Sequence, residues 1–212
     1  MEICGNDTGF KLMAAPLQGF TEAPFRHFHA EIYGSHSDGI TYYSPFVRIE
    51  KGEARKRDIR DISSKLNENH CLVPQVIAGA EDEFRMLVEN VAALGFDRMD
   101  LNMGCPFVPQ VRKGRGAGLL GNPGRFAEIA DVIRSFPELS FSIKMRLGIE
   151  RPDQWKDFCD LINTLHLRCV ILHPRTAVQQ YKGELHMDQL KCFCEEIHHP
   201  VVFNGEISFP DD

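Results

Sequence analysis

The sequence has no long hydrophobic run, and around Glu2 and Asp7 there is no basic segment leading into an apolar one. Neither a secretory signal nor a membrane-spanning segment is therefore predicted, and the compartment expected is the cytoplasm. Positive charge is also short. A formal net charge of −6 excludes a chain that holds nucleic acid by diffuse attraction, because Lys and Arg at phosphates supply that kind of binding. Any RNA contact must come from a local patch. The seven cysteines are odd in number and follow no regular spacing, which points to reduced thiols rather than a disulfide framework. No Gly-x-Gly-x-x-Gly follows a strand and opens a helix, so nothing marks a dedicated dinucleotide cradle. Linkers and low-complexity stretches are missing too, and residues 1–212 read as one domain.

What is present is alternation. Short apolar runs at 12–15, 40–43, 72–77, 98–101, 140–145, 169–172 and 201–203 read as strands. Segments 83–94, 125–136 and 155–165 carry apolar residues at three- and four-residue spacing and read as amphipathic helices between them. Repeated βα units predict an α/β fold with a parallel sheet.

The centre of the chain is the stretch from Asp100 to Asn122. An apolar run over 96–101 is broken by Asn102-Met103-Gly104-Cys105-Pro106, leaving a thiol just past a strand's C-terminal end. In an α/β barrel the βα loops converge on one pocket at that end. Taken alone, Cys105 reads first as a small buried apolar residue, as most free cysteines do. Lys144 and Arg146 alternate along one strand, so both point the same way, and two buried cations call for anions. Gln75 offers both a donor and an acceptor. Asn102 suits either a pyrimidine edge or a loop-stabilising turn, and Thr21 reads as a helix cap. Two basic patches stand out, 51–60 and Arg112-Lys113-Gly114-Arg115; the first interleaves acidic residues and reads equally as a solvated helix face. Cys192, Cys194, His198 and His199 lack a second properly spaced pair, so no metal is expected.

Asp-Leu-Asn-Met-Gly-Cys-Pro at 100–106 followed by Ala117-Gly118-Leu119-Leu120 resembles the tRNA-dihydrouridine synthases, flavoenzymes that reduce uracil rings in tRNA. The resemblance recurs in family order in Met13-Ala-Ala-Pro-Leu-Gln-Gly-Phe-Thr-Glu-Ala-Pro-Phe-Arg26, Pro74-Gln75-Val-Ile-Ala-Gly79, Ser142-Ile-Lys-Met-Arg-Leu-Gly148, His173-Pro-Arg-Thr176 and Val202-Phe-Asn-Gly-Glu-Ile207. It implies a TIM (β/α)8-type barrel, here truncated after about seven strands, since the family's eighth unit and C-terminal helical domain do not occur in this sequence.

It further implies that FMN, reduced by NADPH, delivers hydride to C6 of uracil while the thiol of Cys105 protonates C5. A thiol acting as an acid must stay protonated and needs no activating partner. Cofactor contacts implied are Pro16, Leu17 and Gln18 through their backbone, then Gln75, Lys144 and His173, with Asn204, Gly205 and Glu206 where barrels commonly hold phosphate. Lys144 would set its charge against the flavin. Asn102, Arg146, Arg175 and Lys113 are the implied substrate contacts. The partners expected are tRNA and NADPH, with no membrane and no metal. Three departures from the family pattern are Leu17 in place of methionine, Glu206 in place of aspartate, and the segment 107–111. Two other functions fit the same residues: an FMN-dependent dehydrogenase of free pyrimidines, of dihydroorotate type, or a catalytically silent RNA-binding barrel.

Overall fold

The computed structural model describes residues 11–34 and 39–207. The readings made on Glu2, Asp7 and the first of the seven cysteines lie outside them. In chain order the elements are β1 (Met13–Ala14), α1 (Ala23–Tyr33), β2 (Thr41–Tyr43), β3 (Ile49–Glu50), β4 (Glu53–Ala54), α2 (Lys56–Ile62), β5 (Cys71–Val73), β6 (Gln75–Val76) and α3 (Glu81–Ala92). They continue with β7 (Arg98–Met103), α4 (Val108–Val111), α5 (Pro123–Arg134), β8 (Ser140–Gly148), α6 (Lys156–Asn163), β9 (Leu167–Thr176), α7 (Met187–Glu196) and β10 (Val201–Phe203).

The fold is mixed α/β with parallel sheets. The two parallel sheets have the orders β1-β2-β5 and β6-β7-β8-β9-β10, and β3 and β4 form a separate antiparallel pair. Pro74 separates β5 from β6. It has no N–H to give to a ladder, though its carbonyl accepts from the Asp100 N–H at 3.0 Å. The single run expected over 72–77 thus becomes two short strands. One pairs with β2 and the other with β7, so one stretch of chain joins both sheets.

Strands β7, β8 and β9 run further toward their C-terminal ends than the apolar runs suggested. β7 continues through Asn102 and Met103, and β9 through His173 to Thr176. His173 and Arg175 therefore stand inside a strand rather than after it. Polar residues continue these strands in the ladder, with Asn102 opposite Lys144 and Arg146 opposite His173, and the β8–β9 register shifts between Arg146 and Gly148.

Both faces of the strands are covered, as parallel strands require. On the outside, Phe84, Leu87, Val88 and Val91 of α3, Phe126 and Ile129 of α5, and Phe158 and Ile162 of α6 are buried against alternate strand residues. Burying each such side chain contributes about 1.5–3 kcal/mol. On the inside, Tyr43, Val73, Cys169 and Ile171 form a second cluster, with Met13 and Val202 packed on it. Residues from β1, β2, β5, β9 and β10 thus meet across one interior.

Helix α7 was not foreseen, although Leu190, Phe193 and Ile197 have helical spacing and Phe193 packs on Trp155 at 5.0 Å between ring centres. The Thr21 reading is also corrected. Helix α1 begins after Glu22 with no side-chain cap. Thr21 Oγ1 instead accepts from the Leu17 N–H at 2.8 Å, closing the loop that follows β1. Among the described residues no helix is long and apolar enough to cross a membrane.

Candidate active site

At the C-terminal ends of the strands lies a cavity of about 430 Å³ lined by Pro16, Leu17, Gln18, Gln75, Asn102, Cys105, Lys144, Arg146, His173, Arg175, Asn204, Gly205 and Glu206. Those are all of the residues singled out for chemistry except Lys113. Alternation along the strands explains the convergence: positions 100 and 102 of β7, 142, 144 and 146 of β8, and 173 and 175 of β9 share one face. Phe46 and Tyr181 line the cavity as well and were not anticipated. No periodicity marks them, because both sit in loops.

Beneath the cavity is a hydrogen-bonded polar floor. Asp100 is wholly buried and accepts from Ser142 Oγ at 2.6 Å and Gln75 Nε2 at 2.7 Å. Gln75 Oε1 accepts from Asn102 Nδ2 at 2.7 Å. Asn102 Oδ1 then accepts the N–H groups of Gly104 and Cys105, at 3.0 and 2.9 Å. Asn102 thereby stabilises the loop that follows β7 while also lining the cavity. Burial raises the Asp100 carboxyl to about 6, against the hydrogen bonds from Ser142 and Gln75 and the charge of Lys144. Neither Asp100 nor Ser142 had been assigned a part, yet both share the parity of Asn102 and Lys144 along their strands.

The cations differ from one another. Arg146 is buried and, among the described residues, pairs with no carboxylate: it donates to the carbonyls of Gly104 at 3.0 Å, Thr176 at 3.0 Å and Gln180 at 2.6 Å. Its guanidinium carbon also lies 5.4 Å from the centre of the Tyr181 ring. Three carbonyl dipoles solvate its charge. Arg175 is committed too, to the Gly183 carbonyl at 2.7 Å and Glu206 Oε1 at 2.7 Å. Its remaining nitrogen faces His173 Nε2 at 3.3 Å. An arginine has only donors, so that ring nitrogen is the acceptor and the imidazole proton sits on Nδ1. Burial, then Arg146, Lys144 and Arg175, push His173 down to about 3, and the ring is neutral.

Lys144 is the exception. Its ammonium makes no hydrogen bond among the described residues. Burial lowers it to about 8, opposed by the charge of Asp100.

Cys105 leaves β7 through Gly104 and Pro106. Its carbonyl accepts from the Ala117 N–H at 3.1 Å, and Gly116, at φ +57, comes so close that an added Cβ would lie 2.8 Å from that carbonyl. The glycine is required by both conformation and space. Burial raises the thiol's pKa, against a hydrogen bond from the Phe107 backbone and the charges of Arg146 and Lys144. The thiol is thus held in its protonated form.

The residues of the basic patches are placed differently from one another. Lys113 is exposed and outside the cavity, because α4 carries it away from the strand ends. Arg115 is buried in an ion pair with Glu83 and donates to the Ile49 carbonyl at 3.0 Å, so it is structural. Arg55 and Arg57 pair with Glu50, Asp58 and Glu22. Among the described residues no group of three or more His, Cys, Asp or Glu could hold a metal ion.

The model of the Dihydrouridine synthase (Dus) family matches residues 13–212. The chain belongs to that family. Among its relatives, a "Probable tRNA-dihydrouridine synthase" of Staphylococcus aureus is 28% identical over 201 residues, covering 91% of this chain and 60% of that protein. "tRNA-dihydrouridine synthase B" of Vibrio parahaemolyticus is 28% identical over 204 residues, covering 94% of this chain and 61% of the relative. This Dus-family chain thus spans about 60% of the length of the curated relatives it matches. Among solved structures, a GH18 chitinase from Pseudoalteromonas aurantia overlaps 93% of this chain and 94% of its own at a TM-score of 0.41 and 11% identity, a level that bears on neither fold nor chemistry here.

Proposed function

We propose that this chain is the catalytic part of an FMN-dependent tRNA-dihydrouridine synthase, reduced by NADPH and acting on uridines of tRNA in the cytoplasm. The observation that carries the reading is that Cys105 and Lys144 line one cavity, the thiol protonated and the ammonium without a hydrogen bond. Its seven parallel strand positions are taken as seven of the eight in a (β/α)8-type barrel. An eighth unit and a helical tRNA-gripping domain elsewhere in the natural protein belong to the same proposal.

The residues present fit FMN. Lys144 offers a hydrogen-bonding cation to an electron-rich ring edge, and neutral His173 and Gln75 offer further polar contacts beside it. The backbone at Pro16, Leu17 and Gln18 lies along one wall, and Asn204, Gly205 and Glu206 lie at the end of β10, where barrels commonly hold phosphate. When bound, reduced FMN supplies the hydride that adds to C6 of uracil.

The protein's own groups supply the rest. Cys105 holds the proton for C5 on sulfur and recovers one from solvent afterwards. Arg146 and Asn102 fix the loop that carries it. A fixed ammonium at Lys144 stabilises negative charge that develops in the cavity, and a desolvated site strengthens that effect. Arg146 and Arg175 line the cavity that an extruded base would enter.

The test is to purify the protein expressed from its whole gene. It should be yellow and should restore dihydrouridine to tRNA from a strain lacking it. Absence of both flavin and activity would reject the reading. Turnover of free uracil or dihydroorotate would replace it with a free-pyrimidine enzyme, and RNA binding without flavin would leave a silent RNA-binding barrel.

A further inference from the structure

We propose that Asp100 is a positioning residue: acting through Gln75 and Asn102, it sets the hydrogen-bond polarity that clamps the Cys105 loop. Its functional meaning rests on the reading of Cys105 as proton donor, but the polarity itself is testable without turnover.

An ionised carboxylate only accepts hydrogen bonds, whereas an amide can face either way with the same shape. Asp100 is wholly buried, and Gln75 presents its Nε2 to it at 2.7 Å. The Gln75 oxygen is thereby aimed at Asn102, where it accepts from Nδ2 at 2.7 Å. Asn102 in turn presents Oδ1 to two backbone donors, Gly104 at 3.0 Å and Cys105 at 2.9 Å. Reversing either amide alone would set two acceptors or two donors against each other in a buried place, a mismatch that costs far more than a lost surface bond. Ser142 also meets Asp100, at 2.6 Å, but a hydroxyl donates or accepts as required and so sets no direction. Asp100 is the one member of the chain with no donor to offer. Asp100 fixes the series at one end, as the Gly104 and Cys105 N–H groups, which only donate, fix it at the other; Gln75 takes the one orientation that suits both, and the last acceptor holds the residue that bears the thiol.

The experiment exchanges the two ends of the relay. Asn102→Asp alone turns a second carboxylate oxygen toward the Gln75 carbonyl, with Asp100 blocking the compensating flip. Asp100→Asn combined with Asn102→Asp keeps composition and volume and lets the Gln75 amide reverse. Asn at 100 then donates to Gln75 Oε1, Gln75 Nε2 donates to Asp at 102, and that carboxylate still accepts from Gly104 and Cys105. The readout is amide hydrogen exchange resolved at Gly104 and Cys105 in the full-length protein. Asn102→Asp is expected to speed it about tenfold, and the double exchange to bring it back to within about threefold of wild type.

Wild-type exchange in Asn102→Asp, or a double variant as fast as Asn102→Asp, would overturn the proposal. If Asn102→Asp does not fold, the double variant decides: folded with wild-type protection it supports the relay, unfolded it refutes it. Dihydrouridine formation by the wild type judges the proposed function separately.

Discussion

Arg146 donates through Nε to the carbonyl of Gly104 at 3.0 Å, one residue before the thiol. The same guanidinium reaches Thr176 and Gln180, so one buried charge fastens the Cys105 loop to the turn after β9.

Arg146→Lys should break this fastening, since a single ammonium cannot span three carbonyls placed for a planar fork. A loss of about 2–3 kcal/mol is expected in urea unfolding, by analogy with hydrogen bonds to charged groups. Limited proteolysis should quicken around residues 176–183. Unchanged stability would show that the carbonyls are not its essential partners.

Cys105→Ala should lower dihydrouridine formation by about 100-fold or more, the usual contribution of a general acid. Flavin absorbance per protein should stay the same, since the thiol is not among the groups proposed to hold FMN. Steady-state turnover beside an absorption spectrum checks both.

Lys144→Met should trade cofactor affinity for stability. The native value of about 8 lies below the ordinary 10.5. The unfolded chain therefore holds more protons between those values, and stability rises with pH across that window. Below it the cost of the buried charge is fully present. Removing the charge should stabilise the FMN-free protein at pH 7 on the order of 1–3 kcal/mol. FMN titration should show weaker binding, and destabilisation would contradict the argument.

His173 predicts an acid-side loss of stability. Its native value of about 3 lies below 6.5. As pH falls from 6.5 the unfolded state takes up the proton first, and the fold loses up to about 1.4 kcal/mol per pH unit until the native ring titrates. Asp100, raised to about 6, works in the opposite direction between about 6 and its ordinary 3.8, so the wild-type slope is a net effect. Comparing His173→Asn with wild type in urea at pH 7, 5 and 4 isolates the histidine; the variant should be less sensitive to acid.

Gly116→Ala should be destabilising by about 1–2 kcal/mol from its positive φ alone. The contact with the Cys105 carbonyl would add to that and displace the thiol. Denaturant midpoints and the rate of Cys105 alkylation would both move.

The strands that carry chemistry were legible because period-two alternation and short apolar runs survive in β7, β8 and β9. The motif residues fell on them with the right parity, and Cys105, Lys144 and His173 duly share one cavity. Other features were hidden because their partners are remote in the chain. Arg115 looked like part of an RNA-facing patch until Glu83, 32 residues away, was seen to take its charge. Lys113 looked adjacent to the thiol by sequence, but the turn at α4 carries it out of the cavity. The metal-like grouping of Cys192 and Cys194 obscured α7, whose Leu190, Phe193 and Ile197 spacing was there to be read.

By itself the sequence determined the alternation of strands and helices, the place of a thiol past a strand end, and the residue types gathered at that end, because these depend on local spacing and side-chain chemistry. Only the tertiary structure decided which of the charges lining the cavity are already spent on the fold. Arg146 and Arg175 are consumed by carbonyls and a carboxylate, while Lys144 keeps its hydrogen-bonding capacity. Hydrogen-bond saturation depends on groups that distant segments bring within 3 Å or so of one another, and no local pattern encodes that.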